Sequence, residues 1–145
     1  MQSIALKTDK IIRSGAIKTI IITDISGIDY ELLKQTIMQE LFSKGKVLNL
    51  EEMVEYSSGG VISKQVLKNQ SGNITLFSFD KGQGLTEHTA PFDAVVQVLD
   101  GEAQITIGGN PNLVRKGESI IMPANVSHAL QAVEQFKMLL TMIKG

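Results

Sequence analysis

After Gly45 the chain is cut at short intervals by turn residues, and this punctuation constrains its fold more than any other feature. Breaks fall at Ser57-Ser58-Gly59-Gly60, Asn69-Gln70-Ser71-Gly72, Lys81-Gly82-Gln83-Gly84, Asp100-Gly101, Gly108-Gly109-Asn110-Pro111 and Lys116-Gly117. Glycine supplies the permissive backbone that tight turns need. The β-rich runs between the breaks predict strands near 47–50, 61–68, 73–79, 86–90, 94–99, 102–107, 111–114, 118–122, 127–133 and 136–143. Many short strands at regular spacing indicate a sandwich or barrel rather than βαβ units. Asp100-Gly101, between two such runs, reads as the strongest hairpin signal in the chain.

The first 46 residues differ in character. They carry a local charge of +2, against −3 for residues 47–145. Ile20-Ile21-Ile22 lies in a β-branched run from Ile17 to Ile25 that reads as a buried strand. Left uncovered, such a strand is an aggregation hazard, so it is expected to pair within the molecule or across a homodimer. Asp29 is placed to cap a helix that runs from Tyr30 to Ser43, with Glu31 suited to its first turn. Tyr30, Leu33, Ile37 and Leu41 follow helical spacing, Met38 and Phe42 widen the stripe, and Lys44-Gly45 supplies the stop. Two parts follow: a strand-and-helix extension over residues 1–46 and a β domain over residues 47–145. The amphipathic helix packs on its own barrel or, in a competing reading, serves as a docking peptide.

Composition narrows the functions. A formal charge of −1 over 145 residues argues against a nucleic-acid partner, which needs a concentrated basic face. The absence of cysteine excludes disulfides, thiolate metal sites and a cysteine nucleophile. No apolar stretch reaches the ~18 to 20 residues of a membrane helix, and the first residues do not read as a signal peptide, so a soluble cytoplasmic protein with no membrane partner is expected. Only two histidines, His88 and His128, remain for metal or acid–base chemistry.

Their positions carry the most information. Five residues separate Gly82 from His88, and Gly101 closes the same segment. Five residues separate Gly117 from Pro123, and His128 follows. In these two glycine-anchored spacings the chain resembles the cupin superfamily, specifically the small single-domain conserved-barrel cupins. The resemblance implies a double-stranded β-helix, or jelly-roll barrel, and commonly a homodimer. Metal-binding cupins use two His and one Glu from the first motif and one His from the second. At those places this sequence has His88, Ala90, Ala94 and His128. Asn125 and Ala132 stand where the second motif has Gly and Asn.

Half of the implied ligand set is therefore missing. A catalytic Zn, Fe or Mn site needs about three protein ligands. Strand alternation turns Glu87 and Gln97 away from an inward-facing His88 and Ala94, and Asp93 could turn inward only through an irregular loop. No cofactor is expected with certainty, and at most a weakly held divalent ion (Zn, Fe, Mn or Ni) on His88 and His128. The resemblance implies a barrel that binds a small molecule in a cavity lined by His88, Ala90, Ala94, Val96, Val98, Met122 and His128. Two alternatives stay open. One is a metal-dependent cupin enzyme of oxygenase or isomerase type using His88 and His128. The other is a non-catalytic assembly or regulatory partner. Met122, Met138 and Met142 read as adaptable core filling.

Overall fold

The computed structural model describes residues 11–14, 17–20, 27 and 29–145. It divides into two compact units, Met1–Thr36 and Ile37–Gly145. In the first, strands β1 (Ile11–Ser14) and β2 (Ile17–Ile20) pair antiparallel, Ile11 opposite Ile20. β2 is the start of the run expected to be a buried strand; residues 21–25 of that run lie outside the described residues. Helix α1 spans Tyr30–Leu41. Its predicted cap is present: Asp29 Oδ1 accepts from the amides of Glu31 (3.0 Å) and Leu32 (3.1 Å). Gly45, at φ 74°, sits in the left-handed conformation beyond its end. No helix among the described residues is long and apolar enough to cross a membrane.

The second unit is β structure: β3 (Val61–Asn69), β4 (Gly72–Phe79), β5 (Gly84–His88), β6 (Asp93–Ile107), β7 (Asn110–Arg115), β8 (Ser119–Met122) and β9 (His128–Ile143). Two of these, β6 and β9, run antiparallel to each other from Asp93 opposite Ile143 to Ile107 opposite His128. Each belongs to two layers. The first half of β6 and the second half of β9 form a layer in the order β3-β4-β9-β6-β8, and their other halves form β5-β9-β6-β7. Inward side chains of both layers share one core, in which Phe79 and Phe136 stack with ring centroids 4.5 Å apart. This is the double-stranded β-helix expected from the motif spacing.

Asp100-Gly101 is not a hairpin. β6 continues through it, and the pairing with β9 slips between Val98 and Asp100 and between Gly101 and Ala103. Gly101 takes φ 74°, so it serves a bulge that bends the strand from one layer into the other. The two-residue hairpin comes seven residues later, at Gly108 (φ 54°) and Gly109 (φ 80°), where both central residues have the positive φ of a type I′ turn. For the same reason the runs 94–99 and 102–107 form one strand, as do 127–133 and 136–143. The strand expected near 47–50 is also absent. Leu50–Met53 is a 3₁₀ turn, closed by the Glu52 amide on the Asn49 carbonyl at 3.1 Å. Leu50 and Met53, three apart, thereby face the same apolar cluster.

That cluster lies on the outer side of the first layer. Phe42, Val54 and Leu76 form its buried centre, with Met38, Leu41, Leu48, Ile62 and Leu139 packed around them. It explains why β9 is apolar on both faces: Met138 joins the barrel core, while Leu139 lies under residues 38–54. Of the helical stripe, Met38, Leu41 and Phe42 reach this cluster, whereas Tyr30 and Ile37 are exposed.

Candidate functional site

Strand β5 would not present both Leu85 and His88 to the interior if it were regular, because residues an odd number apart face opposite sides. The register shift between Leu85 and His88 removes the conflict. Leu85 pairs with Leu130 and His88 with His128, so three steps on β5 match two on β9. The inserted residue rotates His88 inward beside His128. The two rings meet edge to face, with centroids 4.5 Å apart and planes at 64°. His128 is buried, at 5% exposure, and His88 is exposed at the mouth.

Each ring is held by the carbonyl two residues before it. His88 Nδ1 lies 2.7 Å from Thr86 O, and His128 Nδ1 lies 3.0 Å from Val126 O. A carbonyl oxygen only accepts, so in both rings Nδ1 is the N–H donor, and in the neutral imidazole Nε2 is then the acceptor. The arrangement presents two ring nitrogens as acceptors.

The carboxylates nearest in sequence are engaged elsewhere. Asp93 Oδ1 accepts from the Ala124 amide at 2.8 Å, and Glu87 Oε1 accepts from Ser127 Oγ at 2.9 Å. The Asn125 amide donates to Ala90 O at 2.8 Å, so two bonds tie the loop before β9 to the loop after β5 and to the first residue of β6. Asn125 adopts φ 62°, a left-handed conformation that asparagine tolerates better than most residues, and thereby stands in for the motif's glycine. No group of three or more His, Cys, Asp or Glu among the described residues is arranged to hold a metal ion.

Behind the imidazoles is a small, partly open cavity of about 50 Å³. Five of the seven residues expected on its wall are there: His88, Ala90, Ala94, Met122 and His128. Val96 and Val98, on the same face of β6, are instead packed in the core at 0% and 2% exposure. Leu85, Leu130, Met138, Leu140 and Met142 complete the wall. The apolar alternation of Met138, Leu140 and Met142 identifies an inward face, but only their register opposite β6 shows what that face encloses. A larger depression of about 430 Å³ lies on the outward face of the second layer, among Gly84, Thr86, Gln104, Thr106 and Gln131. Its lining includes no ionisable side chain.

A bent β-barrel with two imidazoles at one mouth defines a class of jelly-roll proteins, and comparison with known proteins identifies which. A family model for the cupin domain matches residues 75–144. The chain is 42% identical to a conserved protein of unknown function from Streptococcus pyogenes, whose crystal structure aligns over 70% of this chain and 89% of that one with TM-score 0.67. A cupin 2 conserved barrel domain protein from Leptotrichia buccalis is 47% identical over 67% of this chain and 47% of its own, with TM-score 0.66. A cupin superfamily protein from Desulfitobacterium hafniense is 26% identical over 70% of this chain and 94% of its own, with TM-score 0.67. The chain belongs to the cupin superfamily.

Proposed function

We propose that this cupin is a binding protein whose site is the His88–His128 cavity, and that the site takes one compact guest of few heavy atoms. The observation that carries the reading is the cavity itself. It is apolar and about 50 Å³, and only two free imidazole nitrogens provide strong polar contacts. Drug-sized ligands occupy pockets of about 300–1,000 Å³, whereas one water fills roughly 30 Å³. The volume therefore favours a very small guest.

The donor set does not fit the divalent metal that the superfamily implies. Ala90 and Ala94 stand at two ligand places, and Asp93 and Glu87 are bonded away from the mouth. Two neutral imidazoles leave a divalent ion without the third ligand that tight sites use and without any opposite charge in an apolar cavity. No catalytic step is therefore assigned.

Native mass spectrometry and elemental analysis of untagged protein test the reading. The expected result is a small adduct that is lost in Ala94→Leu, whose added methyl groups fill the space, with Fe, Mn, Ni and Zn far below one equivalent. Stoichiometric divalent metal overturns it.

A further inference from the structure

Three of the six methionines of the chain, Met122, Met138 and Met142, lie on the wall of one small cavity together with both histidines. The strand register explains the gathering. Ala94 on β6 is paired with Met122 of β8 on one side and with Met142 of β9 on the other. The smallest side chain of that row stands between two long, flexible thioethers, so the gap it leaves is bordered by methionine side chains. Cross-strand neighbours on one face lie about 4.5–5.5 Å apart at Cβ, within reach of one another's side chains.

The donors around this gap are all neutral and mostly soft. Thioether sulfur favours soft d10 ions such as Cu(I), and imidazole accepts them as well, whereas Fe, Mn and Mg favour carboxylate and water. Charge leads to the same class. The cost of desolvating an ion grows with the square of its charge, so neutral donors in an apolar cavity suit a monovalent ion better than a divalent one. Size agrees, because about 50 Å³ accommodates a bare ion.

We propose that the cavity is a soft-metal site, in which Nε2 of His88 and His128 and the thioethers of Met122 and Met142 bind Cu(I). The proposal rests on the reading of this cavity as the binding site and names the guest. It assigns the methionines a ligand role in addition to packing.

The test uses the untagged full chain under anaerobic conditions. Cu(I) is offered as its bicinchoninate complex, and Ag(I), a redox-inert substitute, is titrated into protein labelled with 13C at the methionine methyls. One equivalent of Cu(I) should leave the chelator. Ag(I) should shift the Met122 and Met142 methyl resonances and leave those of Met38 and Met53, which sit in the other apolar cluster, in place. The Met122→Leu/Met142→Leu double variant keeps volume and apolarity. It should lose Cu(I) affinity by more than the about 10- to 100-fold that removal of an outer-shell partner costs. Failure to take up Cu(I), or uptake unchanged in the double variant, overturns the proposal. An organic adduct lost in Ala94→Leu, without Cu(I) uptake, refutes the soft-metal assignment but leaves the binding reading standing. Absence of any guest refutes both, and stoichiometric Zn or Fe in the purified wild type refutes the binding reading itself.

Discussion

Replacing Gly101 by alanine tests whether the bend in β6 is what lets one strand serve two layers. At φ 74° an L-residue costs roughly 1–2 kcal/mol in this left-handed region. The larger effect is steric. A Cβ at this position would lie 1.8 Å from Gln135 O, about 1.6 Å short of the 3.4 Å at which ordinary contact begins. Neither atom is on a flexible side chain, so relief requires the β6 and β9 backbones to part at the Gly101–Phe136 pair. Parting them forfeits about two ladder hydrogen bonds, each worth ~1 kcal/mol net. It also strains the ring stack of Phe136 on Phe79. The sum is roughly 3–4 kcal/mol, a large part of the ~5–15 kcal/mol that stabilises a typical domain. Gly117 supplies the control. Its φ is 86°, but a Cβ there meets nothing within 4 Å, so Gly117→Ala carries the backbone cost alone, roughly 1–2 kcal/mol. Urea titrations of both variants, followed by far-ultraviolet circular dichroism and fitted for midpoint and slope, measure the difference. Gly101→Ala should be less stable than Gly117→Ala by about 2 kcal/mol. Equal losses would refute the argument that the close approach at Gln135, rather than φ alone, demands glycine.

Other outcomes follow from polar contacts around the barrel. Tyr56 OH donates to Asp100 Oδ2 at 2.6 Å, and burial, then that bond and the Asp100 and Glu51 charges, hold the phenol far above its ordinary value of 10.0. A group whose folded pKa is raised contributes stability that is complete below its unfolded pKa and is lost as pH rises towards the folded one. Thermal stability should therefore fall more steeply above pH ~10 in the wild type than in Tyr56→Phe, as measured by calorimetry across pH. In a Tyr30→Phe background, absorbance at 295 nm should show Tyr56 ionising well above the ordinary range. Asp93→Ala removes the acceptor for the Ala124 amide and should cost about 1 kcal/mol. Amide exchange at Ala124 should accelerate while that at Ile105, deep in the core, follows global stability alone.

Much of the barrel is legible from local chemistry, because turns and alternation are local. The glycine-anchored positions of His88 and His128 predict that the two rings share one cavity, and they meet on its wall. Asp100-Gly101 misleads for a physical reason: a type I′ turn and a β-bulge both demand a glycine at positive φ. Which one forms depends on Gln135, more than thirty residues away, whose carbonyl packs against Gly101. The run 47–50 misleads because its leucines answer to Leu76 and Phe42 rather than to a neighbouring strand. The cavity wall is half legible. Strand parity places Ala94, Val96 and Val98 on one face, but depth along the barrel decides that Ala94 borders the space while the valines fill the core. Met142 becomes a wall residue only through its register opposite Ala94, which no local pattern encodes.

The two imidazoles do not share the same mechanical support. His128 begins β9, which is hydrogen-bonded on both sides, to β5 and to β6, where the layers meet. His88 ends β5, an edge strand whose only strand partner among the described residues is β9, and the register shift leaves the stretch just before it without a regular ladder. Opening free energies within one protein range from near zero at poorly bonded segments to the full unfolding free energy at central strands. His128 is thus held from both sides and His88 from one. If the cavity binds as proposed, parting the five residues of β5 from β9 opens its mouth at less cost than any movement of β9 itself.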